Sequence, residues 1–282
     1  MSTSEPASKK HTSSSFDWII GSKIRDGRYG PVLLGLRSDT ADLISAEEFK
    51  PQDEPGTASA LESVVALLES RLARPNQPNI ISCLGYELKE GRIFVLREHL
   101  PGGTLRDLIR RYGAIPQSLA RSILRQVVAG LEQLQEQGDS PVFLDLGIVM
   151  MDNVGIVKIE APLLDVTTKT GQTLLSAALT PPPELLLGQQ DLFKADVWLL
   201  GILAAQLLTG NCSLAEGGSP GSVAERIKEA HGSALELLIP GGMAGKLDGQ
   251  ALDLIRQCLS IDTNHRPSVS DLLGHPFLSG VA

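Results

Sequence analysis

The side chains best suited to covalent or metal chemistry are Cys83, Cys212 and Cys258, and their spacing forms no ligand or disulfide pattern. Without a C-x-x-C pair they argue against a zinc site and a disulfide framework and for a reducing compartment, so a cytoplasmic location is expected. Hydroxyls are the second reactive class. Thr167, Thr168, Thr170 and Thr173 form a cluster open to modification, and Met1–Ser15 is rich in Ser and Thr. The simpler reading of that first stretch is a disordered, solvated tail; it has no apolar core of a signal peptide. Charge removes a further class of chemistry. Thirty-three Asp and Glu against 25 Lys and Arg give a net charge of −8, the opposite of the basic excess that nucleic-acid phosphates require.

These groups need a frame, and the chain is long enough to supply one. A length of 282 residues, 42% of them hydrophobic, suits one large domain or two lobes with a sizeable core. Short apolar runs at Trp18-Ile19-Ile20, Pro31–Leu34 and Ala41–Ile44, separated by Gly, Asp and Ser, predict β-strands in a meander. Leu61, Val64, Val65 and Leu68 have helical spacing within Ala58–Leu72, and strands are expected at Ile80–Tyr86 and Arg92–Leu96. Helices dominate beyond Pro101-Gly102-Gly103. They are predicted over Thr104–Arg111 with Thr104 as N-cap, then Pro116–Gln137, Leu192–Leu208, Leu252–Leu259 and Ser268–Leu273. Leu192–Leu208 is apolar nearly all round, but Lys194, Asp196 and Gln206 and its short length favour a buried helix over a membrane span.

Several stretches match one pattern in order. They are Trp18-Ile19-Ile20-Gly21 with Gly27-Arg28-Tyr29-Gly30-Pro31-Val32, then Gln77-Pro78-Asn79-Ile80 with Leu84-Gly85, and Glu98-His99-Leu100-Pro101-Gly102-Gly103-Thr104-Leu105. Asp196-Val197-Trp198-Leu199-Leu200-Gly201, Cys258-Leu259, Arg266-Pro267-Ser268 and His275-Pro276-Phe277-Leu278 continue it. Together they resemble the protein-kinase fold, and mitogen-activated protein kinase kinase kinases in particular, over about Phe16 to Leu278. The resemblance implies an α+β, bilobal architecture: a small β-rich N-lobe with one main helix over 16–97, and a hinge with a larger, mostly helical C-lobe over 98–282.

The catalytic positions depart from that family. Kinases use a strand lysine on the α- and β-phosphates, paired with a helix glutamate. Here Glu47 stands at the lysine position and Val64 at the glutamate. Lys50 lies three residues beyond Glu47, an odd offset that points a strand side chain to the opposite face. Set without a gap, the catalytic loop over Gly138–Asp152 turns the base aspartate into Phe143, the adjacent lysine into Asp145 and the metal-binding asparagine into Ile148. Ala161-Pro162-Leu163 replaces D-F-G, so Ala161 removes the other magnesium ligand, and Val142 replaces the arginine that would gather an activation-loop phosphate. Arg25 takes the first glycine position of the glycine-rich loop, while Gly27, Gly30 and Val32 remain. Near 4 Å and at an effective dielectric of about 20, Glu47 would repel each unit of phosphate charge by about 4 kcal/mol.

The expectation from these replacements is a pseudokinase rather than an enzyme, with weak or absent ATP binding at the vestigial loop and the hinge Glu98-His99-Leu100, and no magnesium. Its role would be that of a scaffold or allosteric module for a protein partner, a kinase or another signalling protein, with neither nucleic acid nor membrane involved. Two alternatives belong to other classes: a divergent kinase or nucleotidyl transferase recruiting Asp145 or Asp165, and a nucleotide or metabolite sensor without chemistry. The frame is expected to hold through Glu184, matching the family's A-P-E glutamate and paired with Arg266, and through Asp196 on the catalytic-loop backbone. Arg97, just before the hinge, falls on the strand beside the one bearing Glu47. A lone buried charge is costly, so Glu47 and Arg97 are expected to bond and plug the space of the adenine and α-phosphate.

Overall fold

A computed structural model of the protein describes residues 11–12, 15–50, 57–141, 144–163, 182–186, 191–212, 239 and 244–280. The chain divides into two compact units, one of Met1–Gln77 with Ile81–His99 and one of Pro78–Ile80 with Leu100–Ala282.

The first unit is built on an antiparallel sheet of strands β1 (His11–Thr12), β2 (Trp18–Asp26), β3 (Pro31–Arg37), β4 (Leu43–Phe49), β5 (Cys83–Lys89) and β6 (Arg92–Glu98). Their order is β1-β5-β6-β4-β3-β2, with β4 and β6 central. Alternation sends Ile44, Ala46, Phe94 and Leu96 into one cluster with Trp18 and Leu33 against it. Helix α1 (Thr57–Leu72) buries Val64 and Leu68, and the Tyr86 hydroxyl donates to Glu69 on that helix at 3.0 Å.

Several expectations move: His11–Thr12, within the expected disordered tail, pair with β5, while β2 runs on to Asp26 and β3 to Arg37. Two strand starts shift for a local reason. The strand predicted from Ala41 starts at Leu43, because Ala41 sits at φ 60° in a turn, with its N–H donating to the Arg37 carbonyl. The strand predicted from Ile80 starts at Cys83, because Pro78–Ile80 belong to the second unit. There the Asn79 carbonyl accepts from the Ile159 N–H at 2.9 Å, and Asn79 Nδ2 donates to the Val157 carbonyl at 2.9 Å.

The second unit is mostly helical. It carries the small sheet β7 (Gly103–Thr104), β8 (Val149–Met151) and β9 (Val157–Ile159). Around it stand α2 (Leu105–Tyr112), α3 (Gln117–Glu136), α4 (Pro183–Leu186), α5 (Leu192–Thr209), α6 (Gly249–Cys258), α7 (Val269–Leu273) and α8 (Pro276–Ser279). Capping boxes start α2 at Thr104/Asp107 and α7 at Ser268/Asp271. Helix α5 is long and apolar enough to cross a membrane by composition, yet 83% of it is buried inside this unit. It packs on α6 where Gly201 gives the room: a Cβ there would lie 2.7 Å from that of Cys258.

Candidate functional site

The arrangement in the first unit follows from strand register. In the β4–β6 pair, Ser45 faces Arg97 and Glu47 faces Val95. Arg97 is therefore the diagonal neighbour of Glu47 on the same face, a separation that long side chains span. Arg97 Nη1 donates to Glu47 Oε2 at 2.8 Å, within the range of charge-assisted bonds, and the two side chains are 7% and 0% exposed. The other carboxylate oxygen, Oε1, accepts the backbone N–H of Tyr29 at 3.0 Å. Tyr29 lies in the turn between β2 and β3, closed by the Gly27 N–H donating to the Gly30 carbonyl at 2.8 Å.

Both glycines are demanded by proximity. A Cβ on Gly27 would lie 2.2 Å from Glu47 Oε1, and one on Gly30 would lie 2.0 Å from the Glu48 carbonyl oxygen. Val32, opposite Glu47 across β3, is buried. Val64 is buried on α1 and offers no charge.

Glu98 and Leu100 of the hinge make local bonds, while the buried His99 Nδ1 has no hydrogen-bond partner among the described residues. Glu98 accepts the Ser82 N–H on Oε1 at 2.6 Å, and its carbonyl accepts from Ser45 Oγ at 3.2 Å. Burial lowers the His99 pKa, so the ring is neutral near pH 7. Leu100 is buried and falls in the second unit, where its carbonyl accepts the Gly103 N–H at 3.2 Å.

In the second unit, Asp145 closes its own loop. Its Oδ1 accepts the N–H groups of Gly147 at 2.5 Å and Ile148 at 3.1 Å, and Arg106 Nη2 stands 3.6 Å from Oδ2. Ile148 is buried in the apolar core, and Ala161 packs against that core. Asp196 is fully buried and accepts from Ser140 Oγ at 2.7 Å. Glu184 and Arg266 are brought together with both side chains buried. Phe143, Val142, Asp165 and the four threonines Thr167, Thr168, Thr170 and Thr173 lie outside the described residues. Among the described residues, no three His, Cys, Asp or Glu side chains gather in a metal-holding group.

Sequence reasoning missed Tyr29, Ser45, Ser82 and Ser140. Tyr29 and Ser82 contribute main-chain N–H groups, which leave no residue-type signal, and the two serine hydroxyls find acceptors only once strands and loops are placed.

The protein kinase domain model matches residues 18–278. The chain is 24% identical over 272 residues to Mitogen-activated protein kinase kinase kinase 2 of Arabidopsis thaliana, covering 93% of this chain and 41% of that protein. It is 25% identical over 292 residues to Mitogen-activated protein kinase kinase kinase ANP1 of the same plant, covering 98% and 42%. To MAP kinase kinase kinase mkh1 of Schizosaccharomyces pombe it is 26% identical over 282 residues, covering 93% and 24%. The chain thus spans less than half the length of these relatives. The crystal structure of Rad53 1-466 in complex with AMP-PNP superposes with a TM-score of 0.72 at 21% identity, over 93% of this chain and 65% of that one, a likeness of fold.

These matches correct one expectation. The replacements at the catalytic positions led to the reading that the chain is not an enzyme; the match to the protein kinase domain, with relatives that are named as kinases, overturns that reading. Side-chain identity at six positions reports altered chemistry there, and it does not outweigh a match that runs through nearly the whole chain.

Proposed function

This chain belongs to the protein kinase domain family, and we propose that within it the protein is a divergent, MAPKKK-like cytoplasmic signalling module that works through contact with a partner kinase or another signalling protein. Its nucleotide site, on this reading, is remodelled so that ATP binds weakly and without magnesium.

The observation that carries the reading is the Glu47 carboxylate, buried between Arg97 Nη1 and the Tyr29 N–H. With its charge offset by Arg97, this carboxylate puts no cation where kinases hold a strand lysine on the α- and β-phosphates, so the attraction that lysine supplies is missing. Phosphoryl transfer, the chemistry its relatives are named for, has to be organised here without a strand lysine. The retained Glu184–Arg266 and Asp196–Ser140 contacts support a role that depends on an intact shape.

A melting-temperature titration with ATP, with and without Mg²⁺ or Mn²⁺, tests the reading. The expected result is a small shift that the metal does not enlarge, with a purified MAP kinase kinase bound equally in the presence and absence of ATP. A saturable, metal-dependent rise of several degrees, or partner binding that requires ATP, would overturn it.

A further inference from the structure

We propose that the outer edge of β2 is a dimer interface, where a second copy of this chain adds its own β2 antiparallel about a two-fold axis through Ile19. This goes beyond the function proposed above and depends on neither nucleotide nor a partner kinase.

β2 ends the strand order of its sheet, so one of its edges has no strand partner among the described residues. The ladder tells which residues present main-chain groups there. The Ser38 N–H donates to the Asp17 carbonyl at 2.9 Å, so Ile19 and Leu36 form the next hydrogen-bonded pair. The N–H and C=O groups of Trp18 and Ile20 therefore point to the open edge. Edges are ordinarily blunted by bulges or charged side chains. On β2 the register shifts and the Lys23–Asp26 ion pair all lie beyond Ile20, and the stretch Trp18–Ile20 has neither device. That stretch is apolar instead, with Ile19 and Ile20 59% and 47% exposed.

The sheet extends this apolar surface inward. Ile19 pairs with Leu36 and Leu36 with Leu43, which sets the three side chains in one row on one face, the latter two 37% and 50% exposed. The row stops at the edge of β2, and an exposed apolar row of this kind marks an interaction surface. A second copy fits it by symmetry. With the axis at Ile19, each Trp18 forms a hydrogen-bonded pair with Ile20 of the other copy, and the two Ile19 side chains meet in the closer, non-hydrogen-bonded pair. The row then runs unbroken from Leu43 of one copy to Leu43 of the other, and Asp17 falls opposite Gly21 rather than another acid.

The regular stretch is short, which puts the dimer among the small, transient interfaces of under about 1,200 Å². Sedimentation velocity on the wild type should accordingly show the weight-average mass rising, up to twofold, between about 10 and 500 µM. Ile19→Lys sets like charges against each other on the axis and should stay monomeric throughout, as should Ile19→Glu. An equimolar mixture of the two should associate, because opposite charges then meet. Ile19 is exposed, so both variants should keep the wild-type melting temperature. Cross-linking reads the register. In a Cys83→Ser/Cys212→Ser background, Ile19→Cys should form an intermolecular disulfide on mild oxidation, because a non-hydrogen-bonded antiparallel pair has its Cα atoms about 4.5 Å apart, within disulfide reach. Leu43→Cys, two strands away, should not. A wild type that is monomeric over the whole range overturns the proposal and leaves the edge to an extended segment of another protein. A dimer that Ile19→Lys leaves intact overturns it too. Failure of the mixture to associate, or equal cross-linking from Ile19→Cys and Leu43→Cys, would place the axis elsewhere and overturn it as well.

Discussion

Arg266 and Glu184, 82 residues apart, meet as a fork: Nη1 donates to Oε1 and Nη2 to Oε2, the latter at 3.1 Å, with side chains 0% and 2% exposed. The same guanidinium donates to the Ser260 carbonyl from Nε and Nη2 and to the Lys194 carbonyl from Nη1, and it stands 5.1 Å over the Trp198 ring. Lys194 Nζ returns a bond to the Arg266 carbonyl. One side chain therefore joins α4, the start of α5 and the loop after α6. A planar five-donor group can do this, and a lysine ammonium cannot. Arg266→Ala strands the buried Glu184 carboxylate and should cost about 3–5 kcal/mol, with a fall in melting temperature on the order of 10 °C. Arg266→Lys should recover only part of it. An unchanged melting temperature in Arg266→Ala would show that the fork contributes no stability.

Glu47 and Arg97 should couple. Each single alanine variant removes the opposite charge from a buried ionic bond, at about 3–5 kcal/mol. The double variant leaves neither charge, so its loss should fall short of the sum by about 1–3 kcal/mol. Denaturant melts of the four proteins give the coupling energy, and simple additivity is the outcome that contradicts the buried pair.

The capping boxes make a pH prediction. Hydrogen bonds from the Ser268 side chain and backbone hold the Asp271 pKa below its ordinary 3.8. At Asp107 partial burial pushes upward, but the side-chain and backbone bonds from Thr104 outweigh it, and the net direction is again down. A pKa lower in the folded state means stabilisation that is complete above the unfolded value near 4 and is lost as pH falls through the folded value. The stability gaps between the wild type and Asp107→Asn or Asp271→Asn should therefore be full at pH 7 and close progressively below about pH 4. Equal gaps at pH 7 and pH 2.5 would contradict the capping geometry.

Thiol reactivity should separate the three cysteines. Cys258 is fully buried against Gly201, and burial pushes its pKa up to about 12, so the reactive thiolate is scarce at neutral pH. Cys83 and Cys212 are partly exposed. A maleimide at pH 7 should label Cys83 and Cys212 in the native protein and Cys258 only on unfolding, as peptide mapping would show.

Asp145 should behave as a loop fastener. Its Oδ1 carries two N–H bonds, so Asp145→Ala should cost about 1–2 kcal/mol. Asp145→Asn keeps that oxygen and should cost less. Identical stability of the two variants would remove the fastening role.

The correction on enzymatic character has a physical source. Replacing a lysine by Glu47, or an asparagine by Ile148, shows which side-chain chemistry is missing at a position. It does not show what the surrounding elements place there instead, and at Glu47 the substitute came with its own partners.

By itself the sequence determined whatever depends on neighbours within a helical turn or on periodic burial. Thr104 with Asp107 and Ser268 with Asp271 announce helix starts, because both halves of a capping box lie three residues apart. The apolar run from Leu192 announces a buried helix, and the ordered motifs from Trp18 to Leu278 announce the kinase fold. The sequence also places Glu47 and Arg97 on neighbouring strands and leads to the expectation that they bond, but the tertiary structure decided the register of that contact and the Tyr29 N–H that joins it. Glu47 and Arg97 are 50 residues apart, and they touch because the β4–β6 register sets Ser45 against Arg97 and so leaves Glu47 on its diagonal; a slip of one residue would send the two side chains to opposite faces. The Tyr29 donor is a main-chain N–H, identical in every residue but proline, and only the closure of the turn onto β4 brings it to the carboxylate.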